Sequence, residues 1–495
     1  MEGFGEKYRT KKKKLQNINN QIDTNNLIKK AFELQRQGNN KEAAKYYSYL
    51  IKTGLNDYRV FSNFGTFLKE IGKYKEAEIY LRKAITLNPK YPNAYYNLAG
   101  IFIDKRDFHQ AEIYLRQAIK LKSDFAIAHY NLGFILKDLG RLQEAELYTH
   151  NSLEIYPHLT DAYYSLSTIR STIKNQKWQE RLFSDNLLKN KNNRELVNIF
   201  FARSNILHKK NEYKESANNL IKANNLKLKM HKSDAHFLIQ KTNILKKSLN
   251  NLQNNSQETS NSPICIFIVG LPRSGSTLIE SIISLNSQVS DLGEINIFED
   301  AYQEYIGSGQ KLNLGEIYKK YIKRLNKQST ITTNKWLFNY QYAGIIATLL
   351  PNSRIIHCNR NPLDNILSIY RAHFFNSVPF SSSLIDCAAV YCDQKKIMKT
   401  YKNKFKEQIY DLNYEKLVKN PDDEIKSLIN WLKWDWNELY LSPHLNNRQI
   451  STRSNVEVRS PINAKSVGGW KNYKEMLKPA MEIITQDDEY KDLKY

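Results

Sequence analysis

The stretch Ile264-Cys-Ile-Phe-Ile-Val-Gly-Leu-Pro-Arg-Ser-Gly-Ser-Thr277 decides how the C-terminal part of this chain is read. Its first six residues are a continuous apolar, β-branched run, the pattern of a central strand buried on both faces of a parallel sheet. A glycine loop follows from Gly270 to Thr277, and Leu278–Leu285 then takes a helical pattern. Strand, glycine loop and helix together aim successive backbone N–H groups and a helix N-terminus at a phosphate. A nucleoside-triphosphate loop needs the spacing G-x-x-x-x-G-K-[ST]. Gly270, Gly275 and Thr277 meet it, but Ser276 stands at the lysine position. No ammonium is then supplied for β- and γ-phosphates, and no clear second acidic motif is present for Mg²⁺. The loop suits a nucleotide with a single 5′-phosphate to hold.

A second phosphate-reading element lies about 80 residues further on. Ser353–Cys358 is strand-like, and Asn359-Arg-Asn-Pro-Leu-Asp364 opens a helix expected to run to Phe374. Arg360 at the strand end and Ser368 are eight residues apart. A guanidinium fork there gives bidentate contacts to phosphate, and a hydroxyl one to two turns into the helix closes the site. The plainer alternative is a buried arginine paired with Asp364.

Together these residues resemble the sulfotransferase superfamily. Pro272–Thr277 is similar to its 5′-phosphosulfate loop, which implies that Ser274, Gly275, Ser276 and Thr277 donate to the 5′-phosphate and that Arg273 adds charge. The resemblance likewise implies that Arg360 and Ser368 bind the 3′-phosphate of 3′-phosphoadenylyl sulfate (PAPS), the co-substrate. Asn361 departs from the aspartate often found there. Leu412-Asn-Tyr-Glu-Lys-Leu417 resembles the tyrosine element near the adenine, so Tyr414 is expected to border the base; the alternative is a core tyrosine at a strand end. Ser454–Pro461 and Lys465–Tyr473 resemble the C-terminal segment that folds over the nucleotide, which makes Ser454 and Lys465 phosphate contacts. The Arg-Lys-Gly of cytosolic sulfotransferases is missing from that segment.

Sulfuryl transfer needs a base for the incoming nucleophile and a cation at the leaving oxygen. Val289-Ser-Asp-Leu-Gly-Glu294 reads as a strand ending in Gly-Glu, placed like the catalytic glutamate of the protein-tyrosine sulfotransferases. That resemblance makes Glu294 the general base, where the alternative is a cap on the next helix. Ile331–Lys335 is a short strand ending in lysine, and by the same resemblance Lys335 stabilises the leaving bisphosphate. No histidine follows Lys335, as one does in the Lys-Thr-His segment of cytosolic enzymes. His357 and His373 are read as strand and helix residues.

Upstream, alanines recur every 34 residues at Ala43, Ala77, Ala111 and Ala145. Gly65, Ala99 and Gly133 keep the same period, and Gly38, Gly72 and Gly140 mark turns. This resembles the tetratricopeptide repeat, a helix-turn-helix unit in which small residues let paired helices approach. A fifth unit starts at Ala162, the phase is lost over 174–193, and a degenerate unit returns at Asn205–Lys227. The function implied is binding of a partner or peptide, with a purely structural extension as the alternative. The polar stretch 249–262 reads as a linker. The expected organisation is a basic tail (1–23), a repeat array (24–248), the linker, and an α/β domain with a central parallel sheet (263–495). The whole resembles bacterial tetratricopeptide-repeat sulfotransferases: an α-helical tetratricopeptide-repeat solenoid, then a P-loop-like sulfotransferase domain.

Composition agrees with two or three globular domains in 495 residues, 41% hydrophobic and 25% charged. No apolar run reaches the ~20 residues that span a bilayer, and the start MEGFGEKYRTKKKK lacks the apolar core of a secretory signal. Cys265, Cys358, Cys387 and Cys392 have no ligand spacing, so reduced thiols in a cytoplasm and no metal are expected. The net charge of +24 is uneven, +19 over the first 262 residues and +5 beyond. Such a field attracts acidic partners, although a lysine-rich solvated surface gives the same balance. No nucleic acid is expected as a partner. The acceptor is open between peptide tyrosine, a sugar hydroxyl and a small molecule. Competing readings are an adaptor with an inactive nucleotide-binding domain, and a nucleotide kinase, which the serine at position 276 disfavours.

Overall fold

The structure, a computed structural model, describes residues 24–169, 177–252, 264–325, 331–374, 377–446, 448–450, 452 and 454–494. The basic tail and most of the expected linker fall outside these residues. The chain divides into two compact units, residues 1–162 and 163–495.

The first unit is a row of antiparallel helix pairs: α1 (24–36), α2 (Asn40–Lys52), α3 (Tyr58–Glu70), α4 (Tyr74–Leu87), α5 (Pro92–Asp104), α6 (Phe108–Leu121), α7 (Ala126–Asp138) and α8 (Leu142–Ile155), with α9 (Thr160–Thr168) across the division. Small residues bring the paired helices together. A Cβ added at Gly65 on α3 would stand 2.7 Å from Leu81 Cγ and 3.2 Å from the Ala77 carbonyl on α4. Ala77, Ala111 and Ala145 are completely buried. The turn glycines adopt the left-handed conformation, with φ of 77° at Gly38 and Gly72 and 83° at Gly140. Arg106 occupies the same place in the period and the same conformation, φ 59°. The backbone demand of the turn is retained there at a steric cost of about 1–2 kcal/mol.

The second unit begins earlier than the composition break suggests. After α10 (Lys177–Phe183), the helices α11 (Asn193–Lys209), α12 (Tyr213–Met230) and α13 (Ala235–Ser248) precede β1 (Ile264–Gly270). Their Val197, Phe201, Leu220, Leu238 and Leu245 belong to one hydrophobic core with the sheet residues Phe267 and Val269. The degenerate repeat-like hairpin at 193–230 is therefore packed as part of the α/β unit, and the division falls at 162 rather than 248.

The rest of the unit runs α14 (Ser276–Ile283), β2 (Val289–Asp291), α15 (Ile297–Gly307), α16 (Leu314–Lys323), β3 (Ile331–Asn334), α17 (Ala343–Leu349), β4 (Arg354–Asn359), α18 (Pro362–Arg371), α19 (Leu384–Lys404), β5 (Ile409–Asn413), α20 (Tyr414–Lys419), α21 (Pro421–Leu432) and α22 (Lys474–Ile484). The five strands are all parallel in the order β2-β3-β1-β4-β5. Alternation along β1 fills both faces: Phe267 and Val269 enter the layer with α11–α13 and α15–α19, while Ile266 and Ile268 meet Ile279, Leu428 and Ile429 of α14 and α21. Chain order reverses direction on the two sides of β1, and open parallel sheets bind ligands outside the strand carboxyl ends at such a point. Among the described residues no helix is long and apolar enough to cross a membrane, and the four cysteines are free.

A chain beginning at Tyr163 should fold with a single cooperative thermal transition, because it keeps α11–α13. One beginning at residue 263 should show none in a circular-dichroism melt. Each buried large side chain removed is worth ~1.5–3 kcal/mol, and a handful of them equals the ~5–15 kcal/mol that holds a typical domain.

Candidate active site

Every strand of the sheet ends at a residue singled out in the sequence. Past β1 lies the loop 271–277, past β2 Glu294, past β3 Lys335, past β4 Arg360 and past β5 Tyr414. Because the strands are parallel and in register, these ends share one edge.

The loop after β1 is held tightly from both sides. Gly270 has φ 147°, and a Cβ there would approach the Cys358 carbonyl oxygen at 2.6 Å. Gly275 has φ 98°, and a Cβ there would meet the Tyr414 ring at 2.6 Å. Between them Arg273 sits at φ 69° without being glycine, a conformation kept only where the surroundings enforce it. They do so here. Its carbonyl accepts from Arg360 at 2.8 Å, and its guanidinium donates to Ser368 Oγ at 3.0 Å, to Glu457 Oε1 at 2.5 Å and to Ser454 Oγ. Ser276 and Thr277 open α14 and are buried, and the Ser274 hydroxyl is buried with no hydrogen-bond partner among the described residues.

Arg360 and Asp364 do not pair. The Asp364 carboxylate instead accepts the backbone N–H groups of Gly468 at 2.6 Å and Trp470 at 2.9 Å. Arg360 donates to the carbonyls of Arg273 and Ser466, lies 4.6 Å from the centre of the Tyr414 ring, and leaves its buried Nε without a partner among the described residues. Burial pushes its guanidinium below the ordinary pKa. Asn361 accepts from the N–H groups of Leu363 and Asp364 at 3.1 and 3.2 Å. The amide oxygen thus caps α18 as an aspartate would. That helix ends at Arg371, three residues before the expected Phe374.

β2 is shorter than expected, ending at Asp291, with Gly293 in the left-handed region. Glu294 does not cap the next helix, whose N-cap is Asn296. Its Oε1 accepts from Lys335 Nζ at 2.8 Å. Lys335 has no solvent exposure, and it also reaches Thr277 Oγ1 at 3.4 Å and Glu280 Oε2 at 3.5 Å. The two histidines read as strand and helix residues, His357 and His373, are both occupied in the core. His357 Nδ1 is 2.7 Å from Asp411, and burial lowers its pKa. His373 lies 3.0 Å from Asn198 Oδ1 and stacks on Phe201.

The C-terminal segment crosses this edge. Ser454 and Glu457 hold Arg273, Ser466 bonds Tyr414 Oη at 3.0 Å, and Gly468 and Trp470 dock on Asp364. Lys465 is exposed on the segment, and its neighbour Ser466 makes the contacts. Sequence reasoning missed Glu280, Asp291, Arg448 and Glu457. Glu280 did carry a signal, an acid within the apolar run Leu278–Ile283. Arg448 carried none, because its partners Glu280 and Asp291 are 2.9 Å away in space but more than 150 positions away in sequence. Among the described residues no group of three or more His, Cys, Asp or Glu is placed to hold a metal.

The carboxyl edge of the sheet thus carries the guanidinium groups of Arg273 and Arg360 and the buried Lys335 ammonium, the last between the carboxylates of Glu294 and Glu280. Residues 309–438 match the Sulfotransferase family model, and residues 27–166 match the Cilia and flagella-associated protein 70 middle TPR-like domain. The chain therefore carries a sulfotransferase-family domain and a TPR-like domain. The sulfotransferase match includes Lys335, Arg360, Ser368 and Tyr414 and begins after the loop and Glu294. An uncharacterized protein of Aquifex aeolicus is 27% identical over 314 residues, 58% of this chain and 41% of that protein, so the match spans less than half of the relative. Similar solved structures include MamA (20% identity, 35% of this chain and 94% of that one, TM-score 0.27). They also include YrrB, titled a TPR protein with an unusual peptide-binding site (19%, 37% and 90%, 0.27), and pilF of Pseudomonas aeruginosa (14%, 41% and 91%, 0.34).

Gly275→Ala should cost about 1–3 kcal/mol through its positive φ alone, with more from the Tyr414 clash. Urea unfolding of Gly275→Ala and of Gly275→Ala/Tyr414→Ala measures this, and the second should recover the part due to the ring.

Proposed function

We propose that residues 163–495 transfer a sulfuryl group from PAPS to a hydroxyl or amine acceptor, and that the repeats of the first unit bind the acceptor or a partner protein. The observation that carries this reading is the convergence of the loop 270–277, Glu294, Lys335, Arg360 and Tyr414 on one edge of a parallel sheet. The residues fit a bisphosphorylated nucleotide. The buried Ser274 hydroxyl and Arg360 Nε await acceptors, and the positions of Gly270 and Gly275 leave no room for a side chain in the cradle.

PAPS supplies an activated sulfuryl group on a phosphate leaving group. The N–H groups and hydroxyls of Ser274, Gly275, Ser276 and Thr277 hold the 5′-phosphate at the α14 N-terminus, with Arg273 and Ser454 closing over it. Arg360 and Ser368 take the 3′-phosphate, and Lys465 adds charge at the rim. Tyr414, fixed between Gly275 and Arg360, borders the base. Glu294 accepts the acceptor's proton as the acceptor oxygen bonds to sulfur. The bond from sulfur to the leaving phosphate oxygen breaks, and Lys335 Nζ neutralises the charge that collects there. A tyrosine side chain in a peptide is one acceptor of this chemistry, and glycan and small-molecule hydroxyls are others. The four free thiols accord with a cytoplasmic setting.

Adenosine 3′,5′-bisphosphate at 100 times its Kd should stabilise the protein by about 2.7 kcal/mol and 5′-AMP at the same concentration by far less; equal thermal shifts would refute the reading of Arg360 and Ser368. By calorimetry, Arg360→Ala should weaken bisphosphate binding by roughly 2–5 kcal/mol. Glu294→Gln should lower kcat by ~10²–10⁴ with nucleotide affinity nearly intact, measured with labelled PAPS and a panel of peptide, glycan and small-molecule acceptors.

A further inference from the structure

Glu280 is 1% exposed, yet it stands on α14 among Ile279, Ile282 and Ile283, all completely buried in the sheet core. A carboxylate in such a place is costly unless cations meet it. Two do: Arg448 at 2.9 Å and Lys335 at 3.5 Å, both on Oε2, while Oε1 has no partner among the described residues. Arg448 is fixed in turn by Asp291 at 2.9 Å, Ser281 Oγ at 3.1 Å and the Thr277 carbonyl at 3.4 Å. The result is a chain of alternating charge, Glu294–Lys335–Glu280–Arg448–Asp291, running from the proposed base to the end of β2.

We propose that Glu280 is a positioning residue that holds the Lys335 ammonium on the leaving oxygen throughout the transfer. This rests on the sulfotransferase reading of Glu294 and Lys335. The ammonium has three N–H groups and, among the described residues, three oxygen neighbours: Glu294, Thr277 and Glu280. Glu294 loses its charge when it takes the acceptor's proton, and Thr277 faces the phosphate. Glu280 is the neighbour that the reaction leaves unchanged. It is shielded from solvent, so its attraction for Lys335 is little screened. As Glu294 is neutralised, Glu280 keeps the ammonium from following the proton or turning out of line. Its counterpart Arg448 keeps Glu280 from collapsing onto Lys335 alone.

The test is a double-mutant cycle read in kcat, KM and bisphosphate Kd for Glu280→Gln, Lys335→Ala and the pair. Glu280→Gln should lower kcat about 10²-fold, the cost of a misplacement near 1 Å, with Kd little changed. In the Lys335→Ala background the same change should alter kcat by no more than about twofold. A loss of equal size in both backgrounds, or unchanged kcat in Glu280→Gln, overturns the proposal. Removing one partner of a buried pair is destabilising, so Glu280→Gln/Arg448→Met, which also deletes the second cation, is measured beside it. The same kcat deficit in this variant supports the proposal, and wild-type kcat overturns it. Glu294→Gln separates the two levels of inference. If it turns over normally, the reading of the site fails and the proposal with it; if it is slow while Glu280→Gln is not, the proposal alone fails.

Discussion

Burying an ammonium group with no solvent exposure is unfavourable unless oxygens surround it, and Lys335 imposes that demand on the whole carboxyl edge of the sheet. It draws Glu294 back from the end of β2, Thr277 from the start of α14 and Glu280 from the helix interior. Glu280 in turn requires Arg448, which brings in the C-terminal segment. The ends of two strands, one helix and a distant loop are thus tied through one cation. Removing any one member of this set leaves a buried charge uncompensated, which is strongly destabilising.

A second dependency runs through backbone geometry. The loop 270–277 lies so close to Cys358 and Tyr414 that side chains at Gly270 and Gly275 cannot be accommodated. That closeness is what lets Arg360 reach the Arg273 carbonyl while its face covers the Tyr414 ring. The amides of the loop, the guanidinium and the aromatic ring are thereby brought to one place by the spacing of neighbouring parallel strands, about 4.8 Å. The C-terminal segment completes the enclosure by putting Gly468 and Trp470 on Asp364, the carboxylate that a simpler reading would have paired with Arg360.

The helical part of the molecule shows where periodicity is a reliable guide and where it misleads. Ala77, Ala111 and Ala145 recur because each sits where two helices touch, and Arg106 replaces glycine in one turn without changing its conformation. The hairpin at 193–230 keeps a trace of the same pattern, with Ser216 at an alanine position and completely buried. Its larger apolar residues, Phe201 and Leu220, face the sheet unit instead of a further repeat. Local pattern specifies a helical hairpin, and the available apolar surface decides what it packs against.

Elements that depend on short-range spacing were legible in the chain itself: the strand, glycine loop and helix over 264–283, the short strands that precede Lys335 and Arg360, and the 34-residue repeat. Each follows from strand period, helix period or turn conformation, which are properties of a few consecutive residues. The tertiary structure alone decided that Glu280 and Arg448 join Lys335, that Asp364 receives the C-terminal segment, that Tyr414 packs on Gly275, and that residues 163–248 belong with the sheet. Those outcomes are set by which buried charges must be compensated and which apolar faces remain uncovered once the strands have paired, and no local window of sequence contains either quantity.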